Sequence, residues 1–139
     1  LAQLERLNTF IKKRIENFKF LYKFFKNYEH WFLLPSQNPD VITPWLAFPL
    51  IVKREAPFSR SELQICFEEN LIQTRPIFTG NILRQPCLKN VKYKKNSNGY
   101  PNADYVMKGG ILLGCHQGMN KKQLEYIFQI FIDSIASKY

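Results

Sequence analysis

Residues 73–86, QTRPIFTGNILRQP, concentrate arginines, side-chain amides, hydroxyl groups and a glycine, and we call this stretch the polar segment. An arginine carries a planar fork of donors that suits a phosphate or a carboxylate. Gly80 lets the backbone approach a ligand closely, and Asn81 and Gln85 can both donate and accept hydrogen bonds. The segment therefore predicts a loop that binds an oxygen-rich, anionic molecule; the alternative is a surface turn with solvated arginines.

The chain is basic, with a formal net charge of +9 and a pI near 9.6. Such a balance favours an anionic partner: a nucleic acid, an anionic membrane or a phosphate-bearing small molecule. The positive residues are spread out, however, and their densest groups are Lys12–Arg14, on a predicted solvated helix face, and Lys92–Lys95, beside a loop signature. Nucleic-acid binding is therefore disfavoured. No apolar run approaches the roughly 20 residues of a membrane-spanning helix, so no membrane partner is expected.

The cysteines and histidines predict no metal site. Cys66, Cys87 and Cys115 are far apart and form no CxxC pair, which is typical of reduced thiols in a cytoplasmic protein. His30 and His116 have no companion ligands nearby in the sequence. A lone histidine is more often structural or exposed to solvent than bound to a metal.

The length of 139 residues, 45% of them hydrophobic, fits one domain with its own core. The chain begins at Leu1 inside a helical pattern, without a methionine or a helix cap. We therefore expect a fragment or a processed product of a longer protein, and the rest of that protein could hold the chemistry.

Residues 1–29 predict one long helix of about 40 Å, which would link this domain to a larger one. A second set of apolar residues widens the apolar face of this helix and includes Phe20 and Phe24. We expect one of the two faces to be covered by something outside the chain, and to be exposed in its absence. The main apolar face follows helical three-four spacing at Leu4, Leu7, Ile11, Ile15, Phe18, Tyr22 and Phe25.

The remaining pattern alternates short strands with helices. Ser59 with Glu62, and Asn120 with Gln123, form capping-box pairs that predict two helix starts. Asn102 is predicted to cap a short helix through Met107. The predicted strands are 45–53, with Pro49 near an edge or bulge, 72–78, and 111–113; the predicted loops are 35–44 and 89–101.

The predicted core of the two capped helices follows from the same spacing. The inner faces are expected at Leu63, Cys66, Phe67 and Leu71, and at Leu124, Ile127, Phe128, Phe131 and Ile135. This order predicts an α+β fold: a long N-terminal helix and a short, mainly antiparallel sheet of three to four strands, covered by helices on one face.

Layout and motifs together resemble the C-terminal small domain of the DegT/DnrJ/EryC1/StrS family, fold-type-I pyridoxal phosphate enzymes that modify nucleotide sugars. The resemblance is strongest to the 3-dehydratase branch, typified by CDP-4-keto-6-deoxy-D-glucose 3-dehydratase and its lipopolysaccharide-biosynthesis relatives. It departs from the family at Cys115–Gly118, where an apolar residue usually precedes Pro-Gly. The residues that carry it are 2–7, Trp45, Phe48, 58–63, Thr74, Arg75, Phe78, Gly80, Asn81, 84–86, Asn102, Asp104, Met107 and Gly114.

The resemblance implies that residues 1–139 are a single small domain and that the large domain, which binds pyridoxal or pyridoxamine phosphate and carries the catalytic groups, lies outside them. It implies no catalytic residue and no bound cofactor here, and a fragment that is inactive alone. The full-length enzyme would be a 4-keto-6-deoxyhexose 3-dehydratase of deoxysugar or O-antigen synthesis, with a homodimeric state and an iron-sulfur flavoprotein reductase as implied partners. A nucleotide-sugar aminotransferase of the same family is the alternative, since the choice depends on a Lys or His outside the chain.

The resemblance also assigns roles within the polar segment. Arg75 or Arg84 is expected to pair with a substrate or cofactor phosphate, and Gly80 to let the backbone approach. The predicted substrate-binding set is Arg75, Thr79, Asn81, Arg84 and Gln85, and the predicted apolar cleft wall is Trp45, Phe48 and Phe78. The alternatives are core packing for Trp45 and Phe48, an interdomain ion pair for Arg75, and, for the whole chain, a basic binding module without catalysis.

Overall fold

The computed structural model describes residues 1–94 and 96–139, so Lys95 of the basic Lys92–Lys95 group lies outside the described residues. Within these described residues the chain forms five α-helices and four strands. The helices are α1 (Ala2–Glu5), α2 (Leu7–Phe25), α3 (Arg60–Glu69), α4 (Pro101–Gly109) and α5 (Lys121–Ser134), and the strands are β1 (Phe32–Leu33), β2 (Ala47–Val52), β3 (Thr74–Pro76) and β4 (Gly110–Gly114).

The long N-terminal helix is confirmed, with one interruption. Arg6 has φ −96° and ψ 0°, which separates α1 from α2, and a 3-10 turn over Lys26–Tyr28 ends the helical stretch. The side chains of Leu21 and Phe25 are fully buried because they point at the sheet and at α5. At the other end Leu4 is 66% exposed, so the first turns extend beyond the core.

The expected second apolar face of this helix is partly covered by the chain itself, since Phe20 and Phe24 are half-buried against α5. Phe24 stacks on Phe128 of α5 with ring centroids 3.8 Å apart and an interplanar angle of 5°. Phe20 also contacts Phe128, at 5.2 Å. Because α2 and α5 both present aromatic rings, the two helices pack against each other through Phe20, Phe24 and Phe128 on this side of the core.

The four strands form one antiparallel sheet in the order β1-β2-β4-β3, which confirms the predicted α+β fold. Strand β1 has two residues, which is too short for an alternation of apolar and polar side chains to be recognised in the sequence. It is therefore absent from the sequence prediction. Pro49 lies in β2 opposite Leu112 of β4. Because β1 pairs only with Ile51 and Val52, β2 is locally an edge at Pro49, where a missing N–H donor is tolerated.

One hydrophobic core lies between one face of the sheet and the helices. Side chains alternate along β2, so that Phe48, Leu50 and Val52 are buried and the residues between them are half-buried. The core consists of these residues and of Leu21, Phe25, Phe32, Phe58, Leu63, Phe67, Ile72, Ile111, Leu113, Cys115, Leu124, Ile127, Phe131 and Ile135.

Both predicted capping boxes are confirmed. The Ser59 backbone N–H donates to the Glu62 carboxylate at 2.7 Å, and the Asn120 N–H donates to the Gln123 side chain at 2.9 Å. The Asn102 cap is wrong, because α4 begins at Pro101 with Tyr100 at the N-cap and no side-chain cap. A proline in the first turn has the backbone angle that a helix needs and lacks only a donor that would be unpaired there.

The predicted inner-face position of Leu71 is also wrong, since its side chain is 95% exposed. Helix α3 ends at Glu69, and Leu71 adopts φ +59° in the turn that follows. The Ile72 N–H donates to the Phe67 carbonyl at 2.9 Å, and Ile72 takes the buried position instead. Strand β3, Thr74–Pro76, is shorter than the predicted strand 72–78, and Pro76 is its last residue.

The turn after β4, where the sequence departs from the resemblance, is tied to α2. The Asn17 amide donates to the His116 carbonyl at 2.8 Å, and Arg14 Nε donates to Gln117 Oε1 at 2.8 Å. Asn17 is only 2% exposed, so this turn supplies the partner that a buried amide requires. Among the described helices, none is long and apolar enough to cross a membrane.

Candidate functional site

The polar segment begins on the edge strand β3, which positions its first arginine. Arg75 lies opposite Leu112 of β4 and is exposed, whereas the preceding Thr74 lies opposite Leu113 and is buried. The Thr74 hydroxyl and N–H donate to the Glu68 carboxylate at 2.6 and 2.8 Å, and these bonds lower the pKa of Glu68. Thr74 thereby fixes the strand and leaves the Arg75 side chain directed outward.

Arg75 lines a groove with a volume of about 620 Å³. Lys122 and His116 line the same groove, and its apolar walls include Leu112 and Tyr126. The described lining contains no aspartate or glutamate. Arg75 forms no ion pair within 4 Å among the residues described. The groove therefore combines apolar walls with positive charge, and the carboxylate that interacts electrostatically with Arg75, Glu68, lies outside the described lining.

A tight turn follows β3, closed by a hydrogen bond from the Gly80 N–H to the Ile77 carbonyl at 3.0 Å. Phe78 adopts φ +46° in this turn, and its side chain is 83% exposed. Gly80 adopts φ +63°, and a Cβ atom there would overlap Met107 on α4. The glycine is therefore required by its conformation and by the close approach of α4.

Asn81 and Arg84 both bind Asp104, which lies on α4. Asn81 Nδ2 donates to Asp104 Oδ1 at 2.8 Å, while Arg84 donates from Nε and from one terminal nitrogen at 3.0 and 2.8 Å. These donors lower the pKa of Asp104 to about 2, with Arg84 as the larger cause. Asn81 is 5% exposed and also accepts from the Leu83 N–H at 3.1 Å. We call Asn81, Arg84 and Asp104 the α4 latch.

The last member of the predicted binding set braces the turn. Gln85 Nε2 donates to the Thr79 carbonyl at 3.1 Å, and both residues line a hollow of about 280 Å³. Phe78 and Gly80 line the same hollow. The Thr79 side chain is exposed, so its hydroxyl faces solvent beside the hollow.

The three aromatic residues of the predicted cleft wall occupy different environments. Phe48 is fully buried and packs edge-on against Phe18 at 5.1 Å, so it belongs to the core, and its assignment to a cleft wall is wrong. Trp45 stacks on Phe18 at 4.5 Å and is half-buried. Phe78 is the member of the three that is presented to solvent.

The sequence-predicted residues therefore fall into three neighbouring groups. Arg75 lies in the groove, Phe78, Thr79, Gly80 and Gln85 form the turn, and Asn81 and Arg84 belong to the latch. Sequence reasoning did not include Asp104 among the site residues. Its position one turn before Met107 on α4, on the face that contacts the polar segment, is a signal that only the fold reveals.

The described residues offer neither a metal site nor a fit for a pyridoxal phosphate cofactor. No group of three or more His, Cys, Asp or Glu is close enough together in the described chain to hold a metal ion. The groove contains Lys122 but no described carboxylate that could face a pyridine nitrogen. Cys115 is buried, which raises the pKa of its thiol to about 11, so it is not a ready nucleophile.

Known proteins with similar sequences include a lipopolysaccharide biosynthesis protein and a 3-dehydratase. The lipopolysaccharide biosynthesis protein RfbH of Salmonella typhimurium is 32% identical over 131 residues, which are 94% of this chain and 30% of that protein. The GDP-4-keto-6-deoxy-D-mannose 3-dehydratase of Yersinia pseudotuberculosis is 30% identical over 131 residues, 94% of this chain and 32% of that enzyme.

A solved structure of the Escherichia coli GDP-4-keto-6-deoxy-D-mannose-3-dehydratase with bound hydrated PLP is also similar. It superposes with a TM-score of 0.78 at 30% identity over 93% of this chain and 32% of that one. The chain thus spans about a third of the length of these relatives. The DegT/DnrJ/EryC1/StrS aminotransferase family matches residues 1–131, and the chain belongs to that family.

Proposed function

We propose that this chain is the small domain of a pyridoxal-phosphate-dependent enzyme that acts on a nucleotide-linked 4-keto-6-deoxyhexose as a 3-dehydratase, in cytoplasmic deoxysugar or O-antigen synthesis. The observation that carries the proposal is the exposed Arg75, without an ion-pair partner within 4 Å among the described residues, in a groove whose described lining lacks carboxylates. A nucleotide sugar carries a diphosphate, which suits a guanidinium fork. The names of the relatives above support the substrate class and the reaction.

The roles proposed for the polar segment follow from which donors remain available. Arg75 binds the diphosphate, and the Thr79 hydroxyl and the second N–H of the Gln85 amide, whose first donates to the Thr79 carbonyl, donate to sugar oxygens. Asn81 and Arg84, also predicted to bind substrate, both donate to Asp104, Arg84 through two of its five N–H groups, and in this proposal they contribute mainly by holding the turn. Phe78 covers the ligand with an apolar ring and excludes water, while Trp45 supports the strand that borders the groove.

Pyridoxal phosphate, as an electron sink, would supply the bond-breaking chemistry from the part of the enzyme outside these 139 residues. The residues of this chain bind and orient the substrate and close the cleft from one side. The proposed partners of this domain are the large domain of the same enzyme, a second copy of the full-length enzyme in a homodimer, and an iron-sulfur flavoprotein reductase. A nucleotide-sugar aminotransferase remains the second candidate, because the family to which the chain belongs is named for aminotransferases.

The test is Arg75→Ala in the enzyme that contains this chain, measured by steady-state kinetics with the nucleotide sugar. Loss of a desolvated charge partner costs about 2–5 kcal/mol, so we expect the KM to rise about tenfold or more. Arg54→Ala is the matched control, since Arg54 packs over the Tyr105 ring at 5.5 Å and lines a different cavity. An unchanged KM for Arg75→Ala, or an equal rise in the control, contradicts the assignment.

A further inference from the structure

Asp104 holds two residues of the polar segment at once. Its Oδ1 accepts from Asn81 at 2.8 Å and from Arg84 Nε at 3.0 Å, and its Oδ2 accepts from Arg84 at 2.8 Å. The two-pronged pairing of a guanidinium with a carboxylate restricts orientation as well as distance. Because Asn81 is nearly fully buried, its amide needs this partner, and the loop cannot shift without leaving a buried donor unpaired.

The same face of α4 contacts the polar segment a second time. Met107 lies three residues after Asp104, so the two side chains point from one face of the helix. The Gly80 backbone packs against Met107 so closely that no side chain fits between them. The segment is therefore fixed to α4 at Gly80 and again at Asn81 and Arg84.

Both fixed points lie at or just after the end of a turn that contains a costly backbone conformation. Phe78 has a left-handed backbone, which is unfavourable for a bulky residue, and its ring is 83% exposed, so burial does not offset the cost. Strained conformations of this kind persist where the surrounding structure determines them, and they concentrate at ligand sites. The contacts of the polar segment with α4 hold Phe78 in this left-handed conformation.

We propose that Asp104 is a positioning residue: through Arg84 and Asn81 its carboxylate fixes the turn, so that Phe78 and Thr79 are presented to the substrate in one geometry. Among the described residues, the hydrogen bonds of the Asp104 carboxylate go to the polar segment, so the proposed role of Asp104 is exerted through Asn81 and Arg84. The identity of the ligand as a nucleotide sugar rests on the proposed function, whereas the fixing of the turn does not.

The first experiment measures amide hydrogen exchange in the 139-residue chain and in its Asp104→Ala and Asp104→Asn variants. Loss of a charge-assisted bond predicts that exchange at Leu83 and Gly80 accelerates about tenfold or more. Amides of α5 are expected to keep their rates, which shows that the fold survives. Asp133→Asn is the matched control, because among the described residues the Asp133 carboxylate accepts hydrogen bonds from Gln129 on its own helix, and the Ser137 hydroxyl binds the Asp133 main-chain carbonyl, which the substitution leaves in place.

The second experiment measures kinetics of Asp104→Asn in the enzyme that contains this chain. We expect the KM for the nucleotide sugar to rise about tenfold, with kcat within about twofold of wild type. A variant that merely lost folded enzyme would lower the apparent kcat and leave the KM unchanged. A raised KM with a nearly unchanged kcat therefore distinguishes a positioning role of Asp104 from a general effect on the stability of the enzyme.

Each outcome decides a different claim. Unchanged exchange at Leu83 and Gly80 in Asp104→Ala overturns the positioning role, whatever the substrate is. Faster exchange with an unchanged KM overturns the connection between the turn and the substrate. If the wild-type enzyme binds no nucleotide sugar, the proposed function fails, while the exchange result still decides whether Asp104 fixes the turn.

Discussion

Arg75 and Arg84 are chemically identical, and their neighbours give them different roles. Arg84 is paired with Asp104 through two bonds, whereas Arg75 points into a groove without a described acidic side chain. The sequence predicted Arg75 or Arg84 as the phosphate ligand without choosing between them, because the spacing within the polar segment does not reveal a carboxylate 20 residues further on. Pairing, and not residue type, selects Arg75 as the candidate for a substrate phosphate.

Phe78 offers a direct measure of strain in the turn. A glycine adopts φ +46° without the steric cost that a Cβ atom brings, so Phe78→Gly is expected to be more stable than Phe78→Ala by about 1 kcal/mol. Urea unfolding of the two variants of the 139-residue chain measures the difference. The exposed ring contributes little burial, so its removal affects both variants equally.

Thr79 is the matched control, because it follows Phe78 in the same turn without a left-handed backbone. At Thr79 we expect the opposite order, with Thr79→Ala more stable than Thr79→Gly. A glycine there increases the conformational entropy of the unfolded chain without relieving strain in the folded one. If Phe78→Ala proves as stable as Phe78→Gly, the turn is not strained, and the case for an enforced presentation of Phe78 weakens.

Helix α4 acts on the polar segment through one carboxylate, and the pKa of that carboxylate reports the contact. The pKa of Asp104 lies near 2, below its ordinary value, because Arg84 and Asn81 stabilise the charged form. A lowered pKa means that the stabilisation is fully present above pH 4 and is lost as the pH falls toward 2. The attachment is therefore intact throughout the physiological range.

The prediction is tested by the carboxyl ¹³C titration of Asp104 in the wild-type chain and in Arg84→Ala. The wild-type midpoint is expected near pH 2, and Arg84→Ala is expected to move it upward toward the ordinary aspartate range. Asn81→Ala is expected to move it upward by less, since Arg84 is the larger cause. A midpoint that does not respond to either substitution would show that the two pairings are not made in solution.

Elements with strong local signals were predicted well. The helices α3 and α5 carry capping boxes and regular apolar spacing, and both begin where the sequence placed them. The predictions that failed depended on distant contacts or weak signals: β1 is two residues long, Leu71 lies in a turn beyond its helix, and α4 begins at a proline. Burial of Phe48 likewise depends on α2, and its position in β2 alone does not distinguish core from cleft.

The whole chain combines a closed core with a groove that lacks a described acidic residue. A net charge of +9 without a concentrated patch fits a protein that binds a small anion at a defined place better than one that binds along nucleic acid. The chain spans about a third of its relatives' length, so the groove is expected to face the rest of the enzyme. The central claim is that the substrate binds against β3 and the turn that follows.

Hydrogen–deuterium exchange of the intact enzyme, with and without saturating nucleotide sugar, tests this claim most directly. We expect the ligand to slow exchange over residues 75–85 and along the groove near Gly114. Residues 53–60, which line a separate cavity, are expected to be unaffected. Protection confined to other regions, with residues 75–85 exchanging at the same rate in the bound enzyme, would contradict the account.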